Sequence, residues 1–205
     1  MSASKSICTT AILALATFFV TEDISAIERP NYEVIEEIGD IEIRKYESHI
    51  VAQTLVQGSF EEVGNAGFLR LAGYIFGDNQ DGQKIAMTAP VSLRKDVRPA
   101  TGQYLVSFNM PTEYVLNDLS KPLDARVELV SVASRHVAVL RYKGNWSEKR
   151  FQKHESALLA NLSRSVDWDM HGSVLWARYN PPFVPGFMRT NEVAIEVVRR
   201  VKVSD

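Results

Sequence analysis

Side chains that could ligate a metal or act as nucleophiles are few in this sequence, and they are not grouped. The single cysteine, Cys8, precedes the first long apolar run, so residues 27–205 contain no thiol. This excludes disulfides, thiolate-bound metals and thioether attachment of a prosthetic group from that part of the chain. The four histidines, His49, His136, His154 and His171, lack a metal-binding spacing such as H-E-x-x-H. We therefore expect no protein-built metal cluster.

Catalytic signatures are also lacking. The sequence contains no G-x-S-x-G nucleophile motif, no phosphate-binding P-loop and no dinucleotide fingerprint. Glu113, Asp167 and Glu192 are carboxylates that the sequence alone does not pair. We predict a binding protein and not an enzyme. A small-molecule hydrolase stays open and would need a cleft carboxylate with a raised pKa. A partner-binding protein also stays open and would show an exposed apolar patch without a ligand-sized cavity.

Composition favours one globular domain without affinity for polyanions. The 205 residues are 45% apolar and 23% charged, with a formal net charge of −2. A chain of this length can bury one sizeable core. The densest basic run, Arg199, Arg200 and Lys202, stands at the very end, and no basic stripe is present. Nucleic-acid binding is therefore disfavoured. The sequence gives no indication of oligomeric state.

The first 26 residues resemble a targeting segment. Lys5 is the only charge before Glu22, residues 11–20 are nearly all apolar, and the small residues Ser25 and Ala26 follow Ile24. The apolar run is shorter than the roughly 20 residues of a membrane-spanning helix. This order is typical of a secretory signal peptide, with a buried N-terminal helix as the alternative. We predict cleavage before Ile27, export to a periplasm or outside the cell, and no stable membrane insertion afterwards.

Past this leader, two stretches of the chain have the same order of predicted elements. The first has strands at about 32–38, 41–46 and 49–56, a helix with an apolar stripe from Phe60 to Ile75, and a strand over 84–93. The second has strands at 127–130 and 137–142, a helix carrying Phe151, Leu158 and Leu162, and a strand over 173–179. Further strands are expected at 104–110 and 192–198. The pattern predicts a single α+β domain over 27–205. Its mostly antiparallel, barrel-like sheet of about eight strands is flanked by two helices, with a pseudo-two-fold strand–strand–helix–strand repeat.

Three motifs resemble the SOUL haem-binding family. They are Tyr-Glu-Val-Ile-Glu through Ile-Arg-Lys-Tyr (32–46), Lys-Ile-Ala-Met-Thr-Ala-Pro-Val (84–91) and Tyr-Asn-Pro-Pro-Phe-Val-Pro-Gly-Phe-Met-Arg-Thr-Asn-Glu-Val (179–193). The similarity covers about residues 30–198. It implies a fold like the effector-binding domains of drug-sensing regulators and noncovalent binding of haem or a related tetrapyrrole, as a carrier, buffer or sensor.

The resemblance also implies a location for the ligand, on the first helix and nearby loops. Carried onto this chain, the apolar contacts are Phe68, Leu71, Ala72 and Ile75, with Tyr179 as a neighbour from the C-terminal loop. The alternative is that the apolar stripe of this helix only packs in the hydrophobic core, because amphipathic helices bury such faces.

Basic residues near these positions are candidates to pair with the propionates of the ligand. Arg70 is the first, with Lys84 and Arg189 as further possibilities, because guanidinium matches carboxylate geometry. Solvated surface charge is the alternative for each. Arg189 has a second alternative, a structural role in tying the last loop to the last strand.

Iron ligation is the point at which the sequence departs from one well-known member of the family. That member carries a proposed axial histidine in an Ile-Arg-His-Tyr context, whereas this chain has Lys45 there. A protonated lysine does not ligate iron, so weak or absent axial ligation is expected. His49, Met87 and Tyr74 are the remaining candidates, with surface or core roles as alternatives.

Overall fold

The computed structural model describes residues 27–95 and 102–201. The predicted leader, with Cys8, lies outside these residues. Within the described ranges, no helix is long and apolar enough to cross a membrane. Nine strands form one sheet, and two α-helices pack on it. The predicted α+β class is confirmed.

The elements alternate in the predicted order. In the first half they are β1 (Tyr32–Ile38), β2 (Ile41–Tyr46), β3 (His49–Gln57), α1 (Phe60–Phe76), β4 (Val91–Lys95) and β5 (Gln103–Asn109). In the second half they are β6 (Val127–Val132), β7 (Arg135–Lys143), α2 (Glu148–Leu162), β8 (Trp168–Arg178) and β9 (Thr190–Arg199). Short 3₁₀ turns cover Leu116–Asp118 and Gly186–Met188.

The sheet has an internal two-fold order, β1-β2-β7-β9-β8-β4-β5-β3-β6, and every pair of strands is antiparallel. The chain contains two equivalent units, β2-β3-α1-β4-β5 and β6-β7-α2-β8-β9. When β1 is set aside, each strand of one unit lies as many strands from the central β4–β8 pair as its equivalent in the other unit. The first strand of each unit pairs with a strand of the other unit: β2 pairs with β7, and β6 pairs with β3. The predicted repeat therefore extends to a fourth strand per unit. The sheet stays open, with β1 and β6 as its edges.

Both helices pack on one face of the sheet. α1 lies over β3, β5 and β6, and α2 lies over β7, β8 and β9. Aromatic rings join the two layers: the Phe60 ring of α1 lies 5.7 Å from Phe151 of α2 and 5.5 Å from Trp176 of β8. At the start of α1, the Glu62 carboxylate accepts hydrogen bonds from the Ser59 backbone N–H at 3.0 Å and from its hydroxyl at 2.7 Å. This contact satisfies one of the free donors at the helix start.

The predicted strand over 84–93 is wrong in its first seven residues. Residues 84–90 belong to no strand of the sheet, apart from an isolated bridge between Thr88 and Glu28. The sheet resumes at Val91, directly after Pro90. Proline has no N–H to donate to a ladder, so a strand begins more readily after it than across it. The displaced segment is instead available as a wall beside α1.

Candidate functional site

An apolar cleft of about 190 Å³ lies where three parts of the chain meet. Its walls are the middle of α1, the segment that leads into β4, and the loop that follows β8. The lining residues are Ile27, Gly64, Asn65, Phe68, Met87, Thr88, Ala89, Val91, Trp146, Arg178, Tyr179, Asn180, Pro181 and Pro182. Most of this surface is carbon, and we call it the α1 cleft.

The structure brings two of the predicted contacts together and separates the others. Phe68 and Tyr179 both line the α1 cleft, on different walls. Leu71 and Ile75 are 0% and 1% exposed and belong to the central core, and Ala72 is also buried. Leu71, Ala72 and Ile75 are therefore core residues, because α1 directs their side chains onto the sheet. Phe68, by contrast, remains 36% exposed.

Arg70 lies away from the cleft and is already satisfied. Its Nη1 donates to the hydroxyl of Thr54 at 2.6 Å and to the carbonyl of Leu55 at 3.2 Å, both on β3. Its Nε lies 3.6 Å from an Asp124 carboxylate oxygen. Arg70 is not among the lining residues, so it joins α1 to β3 rather than facing the cleft.

The two other basic candidates differ in environment. Lys84 is exposed and does not line the cleft. Arg189 donates through Nε to the Val184 carbonyl at 2.7 Å and through Nη2 to the Pro182 carbonyl, and its own carbonyl accepts from the Gly144 N–H at 3.0 Å. These backbone contacts fix the loop over 180–189 beside the cleft, which is the structural role that the sequence left open.

On the sheet face opposite the helices, Glu192 forms a buried ionic cluster. The residue is 2% exposed, and its carboxylate accepts from Arg44 at 3.0 and 3.2 Å, from Arg141 at 2.9 Å and from the Tyr179 hydroxyl at 2.5 Å. Burial alone would raise the pKa of Glu192, but these donors outweigh burial and lower it. This carboxylate is therefore held ionised and fully engaged.

Tyr179 connects this cluster to the cleft. Its ring lines the α1 cleft while its hydroxyl donates to Glu192 on the other side, and the Arg29 guanidinium carbon lies 5.1 Å from the ring centroid. Burial and the nearby Glu192 charge raise the pKa of the phenol far above its ordinary value. Tyr179 thus stays protonated and does not form the phenolate that ligates iron.

The histidines lie outside the α1 cleft. His49 lines a separate cavity with Glu28, Asn31 and Thr112. His154 stacks on Tyr142 with ring centroids 3.7 Å apart. Neither these two nor the other two histidines are lining residues of the α1 cleft. Among the described residues, no group of three or more His, Cys, Asp or Glu side chains could hold a metal ion.

Sequence reasoning missed Arg178, Trp146 and Gly64 as cleft residues. Arg178 directly precedes the Tyr-Asn-Pro-Pro motif, and Trp146 follows a Gly-Asn pair before α2. Both residue types suit planar anionic ligands, so composition near the motif was an available signal. Their proximity, however, depends on β8 ending beside the start of α2.

Comparison with known proteins supports the predicted family. The family model described as SOUL heme-binding protein matches residues 27–196. Human heme-binding protein 2 is 30% identical over 179 residues, covering 82% of this chain and 85% of the human protein. Heme-binding protein 1 of Xenopus laevis is 27% identical over 159 residues, covering 74% and 80%.

Solved structures share the fold at much lower identity. The C-terminal domain of EcmrR superposes with a TM-score of 0.56 at 9% identity, covering 82% of this chain and 99% of that domain. A hydrolase from Listeria innocua gives a TM-score of 0.51 at 10% identity, covering 77% and 91%. At this identity, the likeness establishes architecture alone. The family match and the fold agree, and the chain belongs to the SOUL heme-binding protein family.

Proposed function

We propose that this protein binds haem or a related tetrapyrrole noncovalently in the α1 cleft, as a carrier, buffer or sensor. The observation that carries the proposal is an apolar cleft with Phe68, Trp146 and Tyr179 in its walls, in a chain of this family. Flat aromatic and proline surfaces match the face of a macrocycle, and burial of apolar area supplies most of the affinity.

The size of the cleft sets how the ligand would be held. Ligand pockets that enclose small molecules usually measure about 300–1,000 Å³. The α1 cleft, at about 190 Å³, is smaller, so it encloses part of a tetrapyrrole and leaves the remainder in solvent. An open, partly exposed mode of binding suits reversible loading and release.

Iron contributes little to binding in this proposal. The lining residues include no histidine, and Tyr179 is held as a neutral phenol. The Met87 thioether is the remaining lining group that ligates haem iron in other proteins. We expect haemin and metal-free protoporphyrin to bind with similar affinity.

A titration of the full chain with each of these two ligands tests the proposal, followed by absorbance and tryptophan quenching. Saturable one-to-one binding of both, without a change in iron coordination, is the expected result. A six-coordinate spectrum with haemin alone would contradict the iron-independent mode, and His49→Ala would then identify or exclude that ligand. If neither ligand bound saturably, the tetrapyrrole proposal would be wrong.

We propose no catalytic role. The hydrolase alternative requires a cleft carboxylate with a raised pKa, and within residues 27–95 and 102–201 the buried carboxylate is Glu192. Its pKa is lowered and its oxygens are occupied by Arg44, Arg141 and Tyr179. Such a group is a poor general acid or base at neutral pH.

We further propose that the protein acts in a periplasm or outside the cell after loss of residues 1–26. The support is the order of charge, apolar run and small residues in the leader. Intact mass of the protein recovered from its native cells checks this, with a mature chain starting at Ile27 expected. A full-length mass from the cytoplasmic fraction would contradict the proposal.

A further inference from the structure

The guanidinium of Arg178 lies among aromatic rings at one end of the α1 cleft. Its carbon is 4.9 Å from the ring centroid of Trp146, 5.0 Å from that of Phe60 and 5.9 Å from that of Phe151. The helix leaves room for it at Gly64, where a Cβ would come within 2.9 Å of Arg178 Nη1. The site is therefore shaped around this side chain.

Within the described part of the chain, Arg178 has no ion pair and no side-chain hydrogen bond. Burial lowers its pKa to about 10, although the Glu61 charge acts in the opposite direction, so the group remains protonated at neutral pH. Half-buried arginines normally satisfy their donors with carboxylates or carbonyls. The guanidinium has five N–H donors, which have no acceptor among the described residues, and Arg178 lines the α1 cleft.

A second cation and a second donor strengthen this local field. The Arg189 guanidinium carbon lies 4.5 Å from the ring centroid of the same Trp146. Its hydrogen bonds go to backbone carbonyls, which leave its charge in place. The Trp146 indole N–H is buried without a hydrogen-bond partner among the described residues. Two positive charges thus lie near the ring of Trp146, whose own donor is unused.

We propose that Arg178 binds a carboxylate of the ligand, with the apolar part of that ligand lying along Phe68 and Tyr179. This inference rests on the proposed tetrapyrrole function and assigns the propionate contact to Arg178 in place of Arg70, Lys84 or Arg189. Arg70 is engaged by Thr54 and Asp124, and Lys84 does not line the cleft. The fork of Arg178 can form the two parallel hydrogen bonds that a carboxylate accepts.

The first measurement compares protoporphyrin IX with its dimethyl ester on the unaltered full chain, by tryptophan quenching. The ester keeps the macrocycle and removes both negative charges. We expect the diacid to bind about 10-fold to 100-fold more tightly, the range of a hydrogen-bonded ion pair. Equal affinities would overturn the Arg178 assignment and leave the proposed function standing. Failure of both porphyrins to bind would instead contradict the function itself.

The second measurement repeats both titrations on Arg178→Gln. Loss of affinity for the diacid alone, with the ester unchanged, is the expected result. An equal loss for both ligands would reduce Arg178 to a packing role and contradict the proposal. Arg199→Gln is the matched control, since that guanidinium lies over Trp168 at 5.7 Å, and neither residue lines the α1 cleft. The control should leave the diacid preference intact, and urea unfolding of both variants checks that they are folded.

Discussion

At the scale of single residues, the hydroxyl of Tyr179 completes the shell of a buried carboxylate. Glu192 is surrounded by Arg44, Arg141 and this hydroxyl, and Arg44 itself is 0% exposed. A buried charge is tolerated when its oxygens are fully hydrogen-bonded, and removal of one donor leaves part of that cost uncompensated. The cluster therefore fixes the end of β8 against β9, beside the cleft.

Tyr179→Phe should separate the two roles of this side chain. The substitution removes the donor to Glu192 and keeps the ring that lines the α1 cleft. We expect the free energy of unfolding to fall by about 1–3 kcal/mol, as for a buried acceptor left without its partner. Urea unfolding measures this, and porphyrin titration should show nearly unchanged affinity.

Tyr114→Phe is the matched control, because the Tyr114 hydroxyl has no hydrogen-bond partner among the described residues. A stability loss as large as that of Tyr179→Phe would mean that the hydroxyl bond to Glu192 is unimportant.

At the scale of elements, α1 presents two faces with different tasks. Leu71 and Ile75 pack on the sheet, while Phe68 turns toward the cleft and lies 5.4 Å from the Phe108 ring of β5. Gly67 permits this close approach, since a Cβ there would come within 2.4 Å of Val106 Cγ2. The helix therefore carries both the core and one wall of the site.

Phe68→Ala should weaken porphyrin binding without unfolding the protein, because it removes an aromatic wall from a partly exposed position. Leu71→Ala should do the reverse, costing about 2–5 kcal/mol of stability as a core truncation. Porphyrin titration and urea unfolding of both variants test this division. Leu69→Ala, at a position 70% exposed on the same helix and outside the cleft lining, is the control and should change neither quantity.

The loop over 180–189 is held by close backbone packing against the turn before α2. A Cβ at Gly186 would come within 1.3 Å of Asn145 Oδ1, and the Asn191 amide donates to the Gly144 carbonyl at 2.9 Å. The loop carries Pro181 and Pro182 into the cleft wall. The position of the loop therefore depends on Gly186, which leaves space for the Asn145 side chain.

Gly186→Ala should displace this loop, since the added methyl group overlaps the Asn145 side chain. We expect faster amide hydrogen exchange over 180–189 and weaker porphyrin binding, with little change in global stability. If Gly186→Ala left exchange and affinity unchanged, this packing would not position the loop.

At the scale of the whole molecule, His49, His154 and Glu192 make stability depend on pH in the same direction, as do the surface carboxylates Glu62, Asp124 and Asp169, whose pKa values are lowered by hydrogen bonds. Burial lowers the pKa of His49 and, with help from Lys153, that of His154. The pKa of Glu192 is also lowered, because its donors outweigh burial. For each group the unfolded chain takes up a proton at a higher pH than the folded protein, so stability falls as pH decreases.

We therefore expect the melting temperature to fall as pH drops below about 6.5, through the histidines, and again below about 4.5, through Glu192. Calorimetry between pH 8 and pH 3 measures this. Glu192→Gln should reduce the acidic step and lower stability at neutral pH by about 3–5 kcal/mol, since Arg44 loses its buried partner. A melting temperature constant to pH 4 would contradict the argument.

The kinds of element, their order and the family could all be predicted from the amino-acid sequence. Period-two and helical apolar spacing depend on neighbouring residues, so strands and helices could be predicted locally. The motif at 179–193 identified the segment that forms one wall of the cleft, and Phe68 and Tyr179 were predicted from the family resemblance. The strand start was misplaced at 84 because the apolar pattern continues through Pro90, whereas ladder pairing begins only after this proline.

The pairing of charges, by contrast, depends on the folded arrangement of the strands and could not be predicted from the sequence. Glu192 meets Arg44 across 148 positions of sequence, while Arg178, next to the motif, remains without a carboxylate partner among the described residues. These outcomes follow from the exchange of β2 and β6 between the two units and from the adjacency of β8 to the start of α2. Side-chain partners across a sheet depend on strand order and register, which local sequence patterns do not specify.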